Sequence, residues 1–425
     1  MTIGNHTQPV EAQRMDTLRS KIPRLVILLI ILAVGISSLS VLSSRAIGRD
    51  DDSKKKPNCR YCKDQGWTPC KRHPKGIHEM ESGAIRCSEN IRCKKCRGTL
   101  KLSCTRCDIN ISEQLAEERE ANLKWLLEMN RIDEIMKTRN IMHCESAHIK
   151  LTYNIPRISV GKQGFKTHGG MHLYLRRMEE CYEQVCKDLG ATDKDFLAKT
   201  HVMMWEREAE VVRSASVFCR QKSNTKSYLL GAAPIFTIYY NKGFLHEEYE
   251  LHQAVVHNVV HCLLSNVWDG IWPGNIRGGW LDAGFAHHYE LQFKQYGGGV
   301  RNYCYREGDT SVSFKFGRWE SSVRRAVDKG KAPSFLGLST KNIDMLEPQD
   351  HMFSWSYVDF ILKTYPDRFG QVARLIKQQK PIAEVMKKSL DMTPFQFEAK
   401  WKEYVQSKYS PKEQPWGKPT GGKRR

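Results

Sequence analysis

The apolar positions change rhythm along the chain, and each rhythm predicts a different element. Residues 25–42, "LVILLIILAVGISSLSVL", are apolar on every side. At about 1.5 Å per residue they make roughly 27 Å of helix, enough to cross a bilayer core. Arg14, Arg19, Lys21 and Arg24 precede the run. This flank predicts an N-terminal segment (1–24) kept in the cytoplasm, with the later regions on the extracytoplasmic side of a single-pass membrane protein. The small residues "SSRA" at 43–46 leave a cleaved signal segment and a secreted product as the alternative.

A helical period takes over in residues 111–140. Leu115, Leu123, Leu126, Leu127, Ile132 and Ile135 form a broad stripe, acidic residues crowd the early turns, and Ser112 is placed to cap the start. This connector is expected to pack on the following domain. "HIKLTYNIP" then alternates as a strand does, and "GGMHLYLRRMEECYEQVCKDLG" returns to the helical period. "KTHVMMWEREAEVVRSA" reads as a strand and a helix, and "PIFTIYYN" as a strand rich in β-branched and aromatic residues. Beyond it the pattern stays helical to about residue 410, and the basic, Pro/Gly-rich end (411–425) predicts a disordered tail. The order predicts an α+β class, with a small mixed sheet followed by a mainly helical domain over 145–410.

The composition fits a folded protein, with 40% hydrophobic and 10% aromatic residues, and a net charge of +20. Such a balance suits nucleic acid, anionic membrane or acidic protein partners without choosing among them. No arginine-rich arm or RNA-stacking motif accompanies it, which disfavours nucleic acid as the partner.

Cysteine usage sharpens the picture in residues 53–110. "CRYCKDQGWTPCKRH" places Cys59, Cys62, Cys70 and His73, and "CKKCRGTLKLSCTRC" places Cys93, Cys96, Cys104 and Cys107. Both read C-x2-C-x7-C-x2-(C or H). A repeat of this spacing supplies eight ligands, enough for two structural zinc ions, one bound by four cysteines and one by three cysteines and a histidine. An exported location would also permit a disulfide framework. Gly66 and Gly98 follow the first pair of each half, and Cys87 is left over. The segment resembles the cysteine-rich zinc region of J-domain co-chaperones. That resemblance implies that pairs one and four share a metal, as do pairs two and three. No J-domain precedes it, so no co-chaperone role follows. Residues 53–107 carry 15 basic and 4 acidic side chains, a difference of 11 that suits docking to acidic partners.

"HQAVVHNVVHCLLSN", residues 252–266, sets His257 and His261 one turn apart on an apolar helix. Zinc peptidases hold their metal with such a pair, and a glutamate between the two activates the metal-bound water. Downstream comes "GGWLDAGFAHHYE", 278–290. Together the two stretches resemble gluzincin-type (peptidase-MA-like) zinc metallopeptidases, and the resemblance runs over residues 145–410. It implies a general base at position 258 and a third zinc ligand at position 283. This chain has Asn258 and Ala283 there. An amide takes no proton near neutral pH, and losing a positioned base costs about 10²–10⁴ in rate. His287, one turn after Ala283, offers a shifted third ligand, so His257, His261 and His287 form the alternative metal set of an active peptidase. Asp282 and His288 are read as pointing elsewhere, Glu250 as too far to act as base, and Tyr357 as a core tyrosine or, by analogy, an oxyanion donor. The reading is a non-catalytic, membrane-anchored pseudopeptidase that binds peptide or protein partners, with the zinc module as a second docking unit. The competing classes are an active zinc hydrolase and a structural or nucleic-acid-associated protein.

Overall fold

A computed structural model describes residues 58–73, 83–240, 245, 248–292 and 319–412. The expected membrane segment at 25–42 and the basic tail beyond residue 412 lie outside them. No helix among the described residues is long and apolar enough to cross a membrane. Residues Asn58–Arg425 form one compact unit.

Among the described residues, ten strands make three sheets: β1 (Trp67–Pro69), β2 (Arg86–Cys87), β3 (Lys101–Ser103), β4 (Met142–Glu145), β5 (Ile149–Tyr153), β6 (Arg157–Val160), β7 (Gln163–Lys166), β8 (Thr200–Trp205), β9 (Lys226–Leu229) and β10 (Ile235–Tyr239). The main sheet is mixed, in the order β2-β4-β5-β8-β10-β9, with β5, β8 and β10 parallel and the outer pairs antiparallel. β1 pairs with β3, and β6 with β7. The fold is therefore α+β with a mixed sheet.

The central strands show why the sheet is buried on both faces. Along β8, Val202 and Met204 enter one apolar cluster while Met203 and Trp205 enter another. This two-residue alternation sends each set to its own side of the sheet. The second cluster is closed by helix α1 (Ser112–Met136), through Trp125, Met129, Ile132 and Met136. The first cluster takes in helix α2 (Thr167–Leu189), through Met171, Tyr174, Leu175 and Met178. After α3 (Glu208–Ser214) come α4 (Glu248–Asn266) and α5 (Gly279–Gln292), then α6 (Trp319–Asp328) and α7 (Pro348–Thr364). Three further helices, α8 (Phe369–Lys377), α9 (Ile382–Leu390) and α10 (Pro394–Lys408), complete the described chain.

Two expectations for α1 are corrected. Ser112 is the first helical residue rather than the cap, and its N–H is accepted by the Asn110 side chain at 3.0 Å. The buried face runs through Leu115, Asn122, Trp125, Met129, Ile132 and Met136, while Leu127 stays 67% exposed and Leu123 and Ile135 lie outside the core. Burying the bulkier Trp125 and the two methionines covers more apolar area than burying the leucine stripe would, and this rotates the helix. Between α7 and α8 the helical pattern breaks at Pro366, which starts a short 3₁₀ turn. Proline lacks the N–H that a continuing helix needs.

Candidate metal centres

The two cysteine-rich halves are related by a local twofold. β1 and β3 run antiparallel with Thr68 opposite Leu102, and each strand lies at the same offset in its own half. The Cys70 N–H donates to Leu100 O, and the Cys104 N–H donates to Gly66 O, both at 2.8 Å. Each first pair carries the same turn: Lys63 N–H to Cys59 O and Gln65 N–H to Cys62 O are matched by Arg97 N–H to Cys93 O and Thr99 N–H to Cys96 O. The twofold also explains the glycines. Both halves use left-handed residues at the same three offsets: Lys63, Asp64 and Gly66 in one, Arg97, Gly98 and Leu100 in the other. Gly66 and Gly98 serve different members of that set, so their spacing from the cysteines differs while the backbone path repeats.

Because the strands pair antiparallel, each cluster takes its first pair from one half and its second pair from the other. Cys59, Cys62, Cys104 and Cys107 converge, as do Cys70, His73, Cys93 and Cys96, with ligand atoms inside 4.8 Å of one another in each group. The Sγ atoms of Cys62 and Cys107 are 3.4 Å apart, those of Cys59 and Cys104 3.8 Å, and His73 Nε2 lies 3.1 Å from Cys96 Sγ. None of the described cysteines is in a disulfide.

Protons are unevenly shared in these clusters. Burial raises the thiol of Cys62, yet hydrogen bonds from Cys107, Cys59 and the Gly66 N–H bring it down to about 7. Cys93 is likewise raised by burial and brought down to about 6 by the Cys96 and Lys95 N–H groups. Its neighbour Cys96 is pushed up to about 11 by burial, and Cys107 to about 12 by its hydrogen bond to Cys62. Once one thiolate forms, the next must keep its proton. A divalent cation removes that constraint by letting every ligand ionise. The donor set and its spacing fit such an ion.

The histidine helix builds a different centre. α4 is buried along nearly its whole length, and α5 crosses it. Gly284 makes the packing of α5 on α7 possible, since a Cβ there would stand 2.3 Å from Ser354 O. At the crossing His257 Nε2 and His261 Nε2 lie 3.1 Å apart. His261 Nδ1 is 2.8 Å from Asp282 Oδ2, and His257 Nδ1 is 3.2 Å from Glu290 Oε2. His287 Nδ1 reaches the same Glu290 oxygen at 2.9 Å, and its Nε2 meets His351 Nδ1 on α7 at 3.0 Å. The Trp272 ring N–H donates to the other Asp282 oxygen at 2.9 Å. The rings of His257, His261 and His287 and the carboxyls of Asp282 and Glu290 are fully buried.

Burial holds His257 and His351 well below the usual imidazole range and lowers His287, so all three rings are neutral near pH 7. Burial alone would raise Glu290, but the His257 and His287 rings hold its carboxyl far below the usual range. The arrangement is a charged carboxylate at the centre of neutral rings. With the Nδ1 atoms of His257 and His261 facing the Glu290 and Asp282 carboxylates, their Nε2 atoms face each other. A proton or a cation there relieves that opposition.

The resemblance placed chemistry at two positions that do none here. Asn258 is buried, and its Nδ2 donates to Ala254 O, 2.8 Å away on its own helix. Ala283 is buried and offers only a methyl group. The ligand atoms that converge within 4.8 Å are those of His257, His287 and Glu290, while His261 pairs with Asp282. Asp282 does not point elsewhere. Tyr357 is a core residue, packed against Trp280, Phe335 and Trp401 and donating to Pro333 O at 3.3 Å. Sequence reasoning passed over Glu290 and His351. Glu290 had a signal, its i+3 spacing from His287 on one helix face. His351 had none, because only the fold brings α7 to this point.

No protein-family model matches the chain, and no curated protein matches it.

Proposed function

We propose that the chain is a membrane-tethered docking protein in which a zinc-stapled cysteine module is joined to a gluzincin-like domain that binds peptide or protein partners without cleaving them. The observation that carries this reading is Asn258, whose amide sits at the general-base position and is spent on the Ala254 carbonyl. Full burial of His257, His261 and Glu290 supports it further, since a hydrolytic centre needs a position open to water and substrate. Zinc is the ion assigned to the two cysteine clusters, because thiolate and imidazole donors in fours select it over magnesium or calcium. The basic module supplies a surface for acidic partners.

A second reading rests on one specific observation, the convergence of His257, His287 and Glu290. Two rings and a carboxylate are a hydrolytic zinc set, so this reading makes the chain a peptidase with rearranged ligands.

The test is binding of unstructured peptides to the full chain, followed by fluorescence anisotropy, with the bound fraction then weighed by mass spectrometry. Saturable binding with every peptide recovered intact is expected. If no peptide binds, while duplex or single-stranded nucleic acid binds with affinity that falls steeply with salt, the docking reading fails in favour of a nucleic-acid role.

A further inference from the structure

Cys87, the cysteine outside the repeat, does not stand alone in the fold. It closes on two histidines one turn apart at the start of α2, His168 and His172. His168 Nε2 is 3.2 Å from His172 Nε2 and 3.5 Å from Cys87 Sγ. The two ring planes stand at 83° to each other, with each ring turning its Nε2 to the shared point. Cys87 and His172 are buried, and His168 is half-buried.

We propose that Cys87, His168 and His172 bind a transition-metal ion, zinc by preference, in addition to those of the cysteine repeat. With Zn–N of about 2.05 Å and Zn–S of about 2.3 Å, a tetrahedral site has N···N edges of about 3.3 Å and N···S edges of about 3.6 Å. The two short distances in the cluster match those edges. One thiolate and two neutral imidazoles select zinc or a neighbouring first-row metal and are poor ligands for magnesium or calcium. Three protein ligands leave the fourth position to water, which the half-buried face of His168 admits.

The position of Cys87 tells what the ion would do. β2 lies in the chain between His73 and Cys93, within the cysteine-rich segment, yet it pairs with β4 of the main sheet. Only Arg86 and Cys87 form that strand, opposite Glu145 and Cys144. A two-residue edge strand makes few ladder bonds, so it is a weak attachment by itself. An ion tying Cys87 to α2 fastens the cysteine-rich segment to the large domain. This inference is independent of whether the domain binds or cleaves peptides.

Zinc content of the full chain, measured by native mass spectrometry, tests it. His168→Gln and Cys87→Ser are each expected to lose one equivalent of zinc relative to the parent, with unchanged circular dichroism. His168→Cys, which restores a ligand, is expected to keep that equivalent. Unaltered zinc in folded His168→Gln, or a Cys87–Cys144 disulfide in the parent, overturns the proposal in favour of a hydrogen-bonded Cys–His–His chain. Should the variants not fold, crystals of the unmodified chain decide. An anomalous peak at the zinc edge between Cys87, His168 and His172 is expected, and peaks confined to the cysteine repeat would overturn it.

Discussion

The cysteine repeat and the buried histidine cluster are both rich in metal donors, and they are held in opposite ways. In the repeat, the donors sit in turns that flank two three-residue strands, and little apolar area is available to fix them. Five of its eight ligands are among the buried or half-buried thiols whose neighbours compete for protons. Around His257 the donors ride on α4, α5 and α7, whose apolar side chains belong to the main core. There each ring meets a carboxylate or another ring within the protein. A small module of the first kind is expected to require a cation to fold. A cluster of the second kind keeps its geometry from packing and hydrogen bonds. Donor count therefore says less about a metal centre than what positions the donors.

The largest expected effect separates the two directly. Removing metal with a strong chelator should unfold residues 59–107, because structural zinc contributes on the order of 10 kcal/mol to modules of this size near pH 7. Hydrogen exchange read by mass spectrometry should show fast exchange in that segment and continued protection of α4 and α5. Equal loss of protection in both regions would break the comparison.

Next in size is the carboxylate that holds the histidines. Glu290→Ala removes the buried carboxylate that bonds His287 Nδ1 and faces His257 Nδ1, and leaving these buried polar groups without it costs about 3 kcal/mol. Denaturant unfolding in zinc-replete buffer checks this. A change below about 0.5 kcal/mol would mean that Glu290 does not organise the cluster.

Acid should weaken the helical and sheet core by a step that is smaller per residue. Burial holds His201 and His252 at about 3 in the folded chain, whereas the unfolded chain takes up protons near pH 6.5. A depressed imidazole contributes its stability above the unfolded value, and that stability is lost as pH falls toward the folded value. Between pH 7 and pH 5 each of these histidines should therefore cost about 2 kcal/mol. Unfolding free energies that are flat over this interval would contradict the neutral, buried assignment.

How much could be read beforehand follows the same division. The repeat spacing made the two converging groups of four candidate ligands legible because a knuckle is local: two cysteines with two residues between them share one turn. Strands β5, β8 and β10 were legible for a similar reason, since their apolar runs are short and bounded. The partnership of Asp282 with His261, and of His351 with His287, was not legible because it depends on how three helices cross. The face of α1 was misread because apolar character alone ranked Leu127 with Leu115, while packing against Met203 and Trp205 selected Trp125 and Met129. Leu127→Ala should accordingly change stability by no more than about 0.5 kcal/mol, the smallest effect expected here. A loss of about 2 kcal/mol or more would place Leu127 in a buried contact instead.

The central claim is that the histidine cluster does not catalyse peptide hydrolysis. The most direct measurement is cleavage of an unstructured peptide pool by the zinc-loaded full chain at neutral pH, with and without chelator, beside His257→Ala. Identical background rates in all three are expected, because Asn258 supplies no base. Cleavage by the unmodified chain that chelation stops, and that both His257→Ala and Glu290→Gln abolish, would contradict the account and make His257, His287 and Glu290 a working metal set.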